Sequence, residues 1–532
     1  MHFAPQLAGG AGLPRLAPAL GVGVDRFAMP RPLDRATLLL RRDHTLGNLM
    51  DRLERAHGDR QLVVEADGGL SLTYAQAAKR VRRWAGGIST QTSPGDVVVI
   101  ATANGYEQLL LCMAAARAGT LPAPVNDQMR REEVDHVVRD SGATLVLRSA
   151  AAVDDAPPLI EPASADTGDV GALFYTSGTT GSPKGAALTH RALVGQISRA
   201  AMWPTRLHRD EAVIALPVAH IMGFAALIGL AFAGIPTYLL PRFNPVKVLD
   251  AIEQRRATMF IGVPAMYRML DEAGAQARDL TSVRVWAAGA DAMPPDLAER
   301  FKKMGATLTV PLLGAVGQAA FAEGYGMVEV GGGVAAKLSP PFLGTSAGPL
   351  GEALGFALPG YELRVVDDDG AEVPSGQVGE LQVKGPGVLR AYWGDEEATA
   401  AVLTDDGWLR TGDLARKGPF GLLVFEGRSK HVIKHGGYSV YALEVEQALE
   451  QHPDVLEAVV VGLPDERLGE VPGAVVRLEP GADLEALDLG TWAGERLADY
   501  KVPKRFVAVD DLPRTGTAKV QKAALVELFD SL

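Results

Sequence analysis

Short, wholly apolar runs alternate along the chain with longer stretches of helical period. Thr73-Tyr74-Ala75-Gln76 has the form of a capping box and predicts a helix to about Trp84. A Pro94-Gly95-Asp96 turn precedes a buried strand at 97–101, a helix at 105–118 stopped by Gly119, and a second strand at 121–125. That is a βαβ unit and predicts a parallel sheet. Further strands are predicted at 143–147, 170–175, 212–216, 236–240, 259–263 and 283–287, with no repeat of fixed period. Past Gly370, Gly376 and Gly379 the strands become short and glycine-bounded. After residue 430 the pattern changes to a small α+β unit: a helix at 443–451 and strands at 456–461, 474–478 and 506–509. Glycines and prolines punctuate residues 4–32, and 1–44 read as an extension without a basic signal-peptide start.

With 532 residues the chain needs two to four folding units. The net charge of −12 argues against general nucleic-acid binding, which needs a basic footprint. One cysteine, Cys112, excludes a disulfide framework, and no Cys/His cluster suggests zinc. Residues 212–241 carry no charged side chain and are long enough to span a bilayer. Pro217, His220, Gly223, Gly229, Gly234 and Pro236 break that run, so it reads as strand, loop, buried helix and strand. The expected compartment is cytoplasmic, with at most peripheral membrane contact.

Chemistry concentrates in Leu173-Phe174-Tyr175-Thr176-Ser177-Gly178-Thr179-Thr180-Gly181-Ser182-Pro183-Lys184-Gly185. An apolar strand opens into glycines, hydroxyls and one lysine, and a helix is predicted from Thr189 through Leu193 and Ile197. Strand, loop and helix is a setting in which backbone N–H groups, hydroxyls and a lysine cradle phosphate. The common P-loop is excluded, because Pro183 precedes Lys184 and Gly185 follows it. A solvated turn would need fewer hydroxyls and glycines than stand here.

This stretch resembles the phosphate loop of the adenylate-forming superfamily: acyl-CoA synthetases, aryl-CoA ligases, carrier-protein ligases and firefly-type luciferases. The resemblance extends over roughly residues 45–525. It implies an α/β fold: a large N-terminal domain of mixed β-sheets wrapped by helices, with a β-rich subdomain, and a small mobile α+β C-terminal lid. The expected units are 1–44, 45–429 and 430–532, with Lys430 as hinge. By the same resemblance Thr176, Ser177, Gly178, Thr179, Thr180 and Lys184 hold phosphate, Thr176 with a catalytic part. In Leu216-Pro217-Val218-Ala219-His220, His220 stands at the mouth of the acid pocket and Phe224 lines it. Gly289, Ala290 and Asp291 border adenine and the acyl group. In Glu323-Gly324-Tyr325-Gly326-Met327-Val328-Glu329, Gly324 faces the acid, Tyr325 and Gly326 the adenine, and Glu329 holds magnesium. Carboxylate suits a hard cation. Asp413, in Trp408-Leu409-Arg410-Thr411-Gly412-Asp413, accepts the ribose hydroxyls, and Arg428 reaches ribose or phosphate. Lys519 serves adenylation, and Lys434 serves thioester formation after the lid turns.

Two positions depart from the family pattern. Val328 stands where relatives carry threonine, and Ala518 where they carry glycine. The expected activity is an ATP- and Mg²⁺-dependent acyl-CoA synthetase with coenzyme A as co-substrate, acting on a medium- to long-chain fatty acid. The small residues at 288–292 leave room for such a chain. An aryl acid, an acyl-carrier-protein acceptor and a catalytically attenuated acyl- or nucleotide-binding relative remain alternatives, and a monomer or homodimer is expected.

Overall fold

The computed structural model describes residues 32–530 apart from 127, 177–182, 204–209, 311–313, 343, 345–352, 419–420, 437 and 515–519. The largest sheet has thirteen strands. Its parallel part runs in the order Gln61–Glu65, Thr237–Leu239, Ala212–Ile214, Met259–Gly262, Val285–Gly289 and Ala320–Met327. From there it continues antiparallel through Gly332–Ser339 and Ala353–Ala357 into the β-rich part that carries Leu423–Arg428 and Leu409–Lys417. A separate parallel sheet has Val97–Ile100 between Leu121–Pro124 and Leu145–Leu147, as the βαβ reading predicts. The Thr73 box forms in full: Gln76 N–H donates to the Thr73 hydroxyl, and Thr73 N–H to the Gln76 amide oxygen. Its helix runs on to Ser89, because Val81, Trp84, Ala85 and Ile88 continue one buried face.

The uncharged run 212–241 forms the strand Ala212–Ile214, the helix Ile221–Ala233 and the strand Thr237–Leu239. Gly234 ends the helix at φ 72°, where the left-handed backbone favours glycine. No helix among the described residues is long and apolar enough to cross a membrane.

One expectation is corrected. The phosphate stretch is not strand, loop and helix but a hairpin. Val170–Thr176 pairs antiparallel with Lys184–Thr189, Thr176 opposite Lys184. The second strand is central in a three-stranded sheet with Ala391–Tyr392 on its far side, and Ala186, Ala187 and Leu188 are buried there. Helical turns follow only after Thr189, whose hydroxyl accepts the Ala192 N–H at 3.2 Å. The extension ahead of residue 45, whose structure the sequence pattern leaves open, holds a helix, Pro32–Leu40, with Arg35 and Leu38 buried.

From Val432 onward a five-stranded sheet encloses its own core of Ile433, Val440, Val445, Leu449, Ala474 and Val476. Leu525 and Phe529 of the last helix close its other side.

Candidate active site

The parallel strands Val285–Gly289 and Ala320–Met327 lie side by side and pair Gly289 with Gly324. Ligands of open α/β sheets sit beyond such carboxyl ends. A Cβ at Gly324 would meet no atom within 4 Å, so this edge is open. One at Gly326 would lie 1.8 Å from the Gly332 carbonyl oxygen, so only glycine fits there. Ala290 follows at φ 72°, a left-handed conformation that costs a non-glycine residue about 1–2 kcal/mol. Such strain concentrates at ligand sites. Asp291, exposed, caps its own turn by accepting the Ala292 N–H.

Tyr325 points its hydroxyl at Asp413, donating to Oδ2 at 2.7 Å. Asp413 is 3% exposed and carries the Arg428 guanidinium 3.2 Å from Oδ1. Burial, with the Asp413 carboxylate second, pushes the Tyr325 hydroxyl well above the usual phenol range, so it stays a neutral donor. The triad joins three strands and holds a buried carboxylate where the reading expects ribose.

The phosphate end is built differently. Glu329, 9% exposed, sits just past Met327 on the turn Val328–Val330. Tyr392 donates its hydroxyl to Glu329 Oε1 at 2.9 Å, and the Leu389 N–H donates to the Glu329 carbonyl at 2.7 Å. Lys184 Nζ lies 5.8 Å from the centre of the Tyr392 ring and 3.1 Å from Asp395 Oδ2. Segment 389–395 thus ties Glu329 to the lysine of the hairpin. Among the described residues only Oε1 of Glu329 accepts a side-chain hydrogen bond. A fixed, buried carboxylate with one oxygen engaged fits a magnesium ion that takes its remaining ligands from phosphate and water. No group of three His, Cys, Asp or Glu among the described residues is placed to hold a metal by protein ligands alone. Thr176 ends its strand beside Lys184, whereas Ser177, Gly178, Thr179 and Thr180 lie outside the described residues.

At the acid end, His220 caps the helix Ile221–Ala233, its Nδ1 accepting the Met222 N–H at 3.3 Å. Asn104 steadies the loop before it, accepting from Val218 N–H at 2.8 Å and donating to the Pro241 carbonyl at 2.7 Å. Phe224 stands in the core, fully buried and edge-on to Phe174 with ring centres 5.1 Å apart. The open space lies on the helix's other face. Ala226, Gly229, Leu230 and Ala233 face Met259 and Ile261 of one strand and Val285 and Ala287 of the next, across an apolar cavity of ≈ 490 Å³. Met222 at the top of that helix would meet a Cβ at Gly289, the next inward position after Ala287.

The C-terminal unit docks on the helix Pro264–Glu272. Arg268 donates to both oxygens of part-buried Glu450 at 3.0 and 3.2 Å and to the Leu456 carbonyl at 2.7 Å. Glu272 pairs with Arg477. Arg514, held by Glu457 at 2.6 Å, forms a bridge with Val520 across the loop that contains Lys519. Lys519 and Ala518 are outside the described residues. Lys434 stays within its own unit: its N–H donates to Glu470 at 2.9 Å and its Nζ to Ser439 at 3.2 Å. Lys430 lies exposed on the turn Ser429–His431 between the two units.

The family model for AMP-binding enzymes matches residues 50–393, and that for the AMP-binding enzyme C-terminal domain matches 444–519. The chain belongs to the AMP-binding enzyme family. It is 35% identical over 491 residues to a feruloyl-CoA synthase of Amycolatopsis sp, covering 87% of this chain and 95% of that protein. A fatty acid–[acyl-carrier-protein] ligase of Streptomyces coeruleorubidus is 32% identical over 497 residues, covering 87% and 92%. ATP-bound MatB from Rhodopseudomonas palustris superposes with a TM-score of 0.79 at 30% identity, over 91% of this chain and 99% of that one. An o-succinylbenzoate coenzyme A synthetase from Bacillus subtilis, solved with ATP and magnesium, gives 0.76 at 27%, over 90% and 99%. As a member of the AMP-binding enzyme family, the protein is an adenylate-forming acid–thiol ligase, and the acids named for its relatives differ.

Sequence reasoning missed Tyr392, Asp395, Asn104 and the Arg268–Glu450 pair. Each acts through a partner distant in the chain. A conspicuous Tyr-Trp-Gly-Asp at 392–395 was the one local signal.

Proposed function

We propose that the protein joins an aliphatic medium- to long-chain fatty acid to AMP and then transfers the acyl group to coenzyme A. The observation that carries this reading is the apolar cavity behind Gly289. From Gly289 to Val285 the wall runs four residues, or about 13 Å at strand rise. That is deeper than a single aromatic ring requires. Among the described residues its lining brings no acidic group, and the one basic residue there, Arg199, is turned to Gln196 and the Pro359 carbonyl. A second reading, an aryl acid, is favoured by the identity to the feruloyl-CoA synthase.

In the first half-reaction the acid's carboxylate oxygen attacks the α-phosphorus of ATP and pyrophosphate leaves. In the second, a thiolate attacks the acyl carbonyl and AMP leaves. Both partners of the first step are anions, so positioning and charge neutralisation dominate. Lys184 exchanges Asp395 for phosphate. Asp413 accepts the ribose hydroxyls from a position fixed by Tyr325 and Arg428. Glu329 would hold a magnesium ion, which would neutralise phosphate charge. Gly289, Ala290 and Gly324 admit the acyl group beside the adenosine, and His220 stands at its entrance. Lys519 serves to bridge carboxylate and α-phosphate during adenylation, and rotation at Lys430 brings Lys434 in for the thiol step.

The test is acid-dependent ATP–pyrophosphate exchange over a panel of fatty and aromatic acids, repeated with coenzyme A or an acyl carrier protein and scored for thioester. Strongest exchange with aliphatic acids and thioester on coenzyme A is the expected result. Exchange only with aromatic acids refutes the acid assignment, and thioester only on the carrier protein refutes the acceptor. No exchange by folded protein with any acid favours the attenuated relative.

A further inference from the structure

The family match begins at residue 50, yet the chain ahead of it reaches the cavity. Helix Pro32–Leu40 packs on the turn Ile197–Met202. That turn and the residue after it supply Arg199, Ala200 and Trp203 to the cavity wall, with Met202, 64% exposed, at its solvent rim. Arg35, 9% exposed, donates from one nitrogen, Nη2, to the carbonyls of Ala201 and Trp203, each at 2.6 Å. The two carbonyls flank Met202. They belong to the end of a helical turn, where the last carbonyls have no partner within the helix and need one from outside. The same wall is pinned from its other side: Trp203 Nε1 donates to Asp210 Oδ2 at 2.9 Å, and Asp210 Oδ1 accepts from Thr258 at 3.0 Å. Across the cavity, Gly229 leaves the space between wall and helix narrow. A Cβ there would already touch Ile197 at 3.4 Å.

We propose that Arg35 is a positioning residue for acid selection. By clamping the Ala201 and Trp203 carbonyls it holds Met202 and Trp203 in place as a wall of the acid pocket, so a segment ahead of the family-model match helps to set which acids fit. The proposal rests on the cavity being the acid pocket. Loosening the clamp lets Met202 and Trp203 move. Acids that reach that wall lose their fit, while short acids, which end nearer Gly289, do not.

Two variants separate the proposal from the reading beneath it. Gly229→Leu fills the cavity itself, and Arg35→Met removes the clamp while keeping an unbranched apolar stem. For each, kcat and KM are measured by pyrophosphate exchange with short, medium and long saturated acids, together with the KM for ATP. Gly229→Leu is expected to abolish use of long acids and spare short ones. An unchanged acid profile in Gly229→Leu refutes the cavity as acid pocket. Arg35→Met is expected to raise KM for long acids about tenfold, the scale of one to two lost hydrogen bonds, with KM for short acids and for ATP within about twofold. Arg35→Lys, which keeps the charge and one donor group, is expected to restore part of the loss, and it carries the same test should Arg35→Met not fold. If Gly229→Leu shifts the profile while the Arg35 variants change nothing, or change every acid and ATP alike, the role assigned to Arg35 is overturned.

Discussion

Tyr392→Phe removes one oxygen and nothing else of consequence to the fold. The ring keeps its place under Lys184, and the main chain of Glu329 keeps its bond from Leu389. What is lost is the 2.9 Å hydrogen bond that fixes Glu329 Oε1. Burial, with the Glu329 carboxylate second, raises the Tyr392 hydroxyl far above the ordinary phenol range, so the native residue donates at every pH the enzyme meets. A hydrogen bond to a charged acceptor contributes about 1.5–3 kcal/mol, which corresponds to roughly 12- to 160-fold in an equilibrium or a rate. If Glu329 holds the metal, that loss falls on metal affinity in the nucleotide complex. The assay is Mn²⁺ binding in the presence of a non-hydrolysable ATP analogue, read by paramagnetic resonance, beside metal-free nucleotide binding. The expected result is a tenfold or greater weakening for Mn²⁺ with metal-free nucleotide affinity unchanged. In a Glu329→Gln background the same substitution should add almost nothing, since the two side chains act as a unit. Native Mn²⁺ affinity in Tyr392→Phe would refute the coupling of the 389–395 segment to the metal.

Three further outcomes follow from the same geometry. Arg268→Met takes the cation from part-buried Glu450, which among the described residues keeps only the Ala458 N–H donor at 3.2 Å, a loss of about 1.5–3 kcal/mol. Because this pair joins the two units, we expect much of it as release of the lid. Pyrophosphate exchange should fall more than tenfold, while thioester formation from synthetic acyl-adenylate persists, and equal loss of both half-reactions would sink this. Val328→Thr restores a hydroxyl at the phosphate end and should raise the exchange rate, by up to the roughly 150-fold that about 3 kcal/mol allows; an unchanged rate removes Val328 as a limit. His190 is buried with Nδ1 accepting the Leu46 N–H at 3.2 Å, and burial lowers its pKa from 6.5 to about 4. The folded state therefore prefers the neutral ring: the contribution is complete above pH 6.5 and is lost as pH falls from there to about 4, by about 3 kcal/mol. Thermal midpoints measured across that range should fall with acid, and His190→Asn should flatten the slope.

The pattern of the sequence predicts an element well when the information is local. The Thr73 box, the βαβ unit at 97–124 and the breaks at Pro217 and Gly234 each depend on residues within one or two turns, and the structure carries them as expected. It fails where pairing is distant. Lys184–Thr189 is a strand only because Ala391–Tyr392 and Val170–Thr176 flank it, and its Lys-Gly-Ala-Ala-Leu-Thr composition fits a loop or a helix start equally well. The site divides along the same line. The residues expected to touch nucleotide or acid stand in short motifs, and the family resemblance reached them one motif at a time. The residues that aim them do not. Tyr392 reaches Glu329 across 63 positions of chain, Arg268 reaches Glu450 across 182, and Arg35 reaches Ala201 across 166. A motif fixes which groups are present, whereas selectivity and metal affinity depend on how firmly those groups are held. The substitutions that change substrate range without abolishing catalysis therefore belong at the supporting residues, far from the motifs that identify the family.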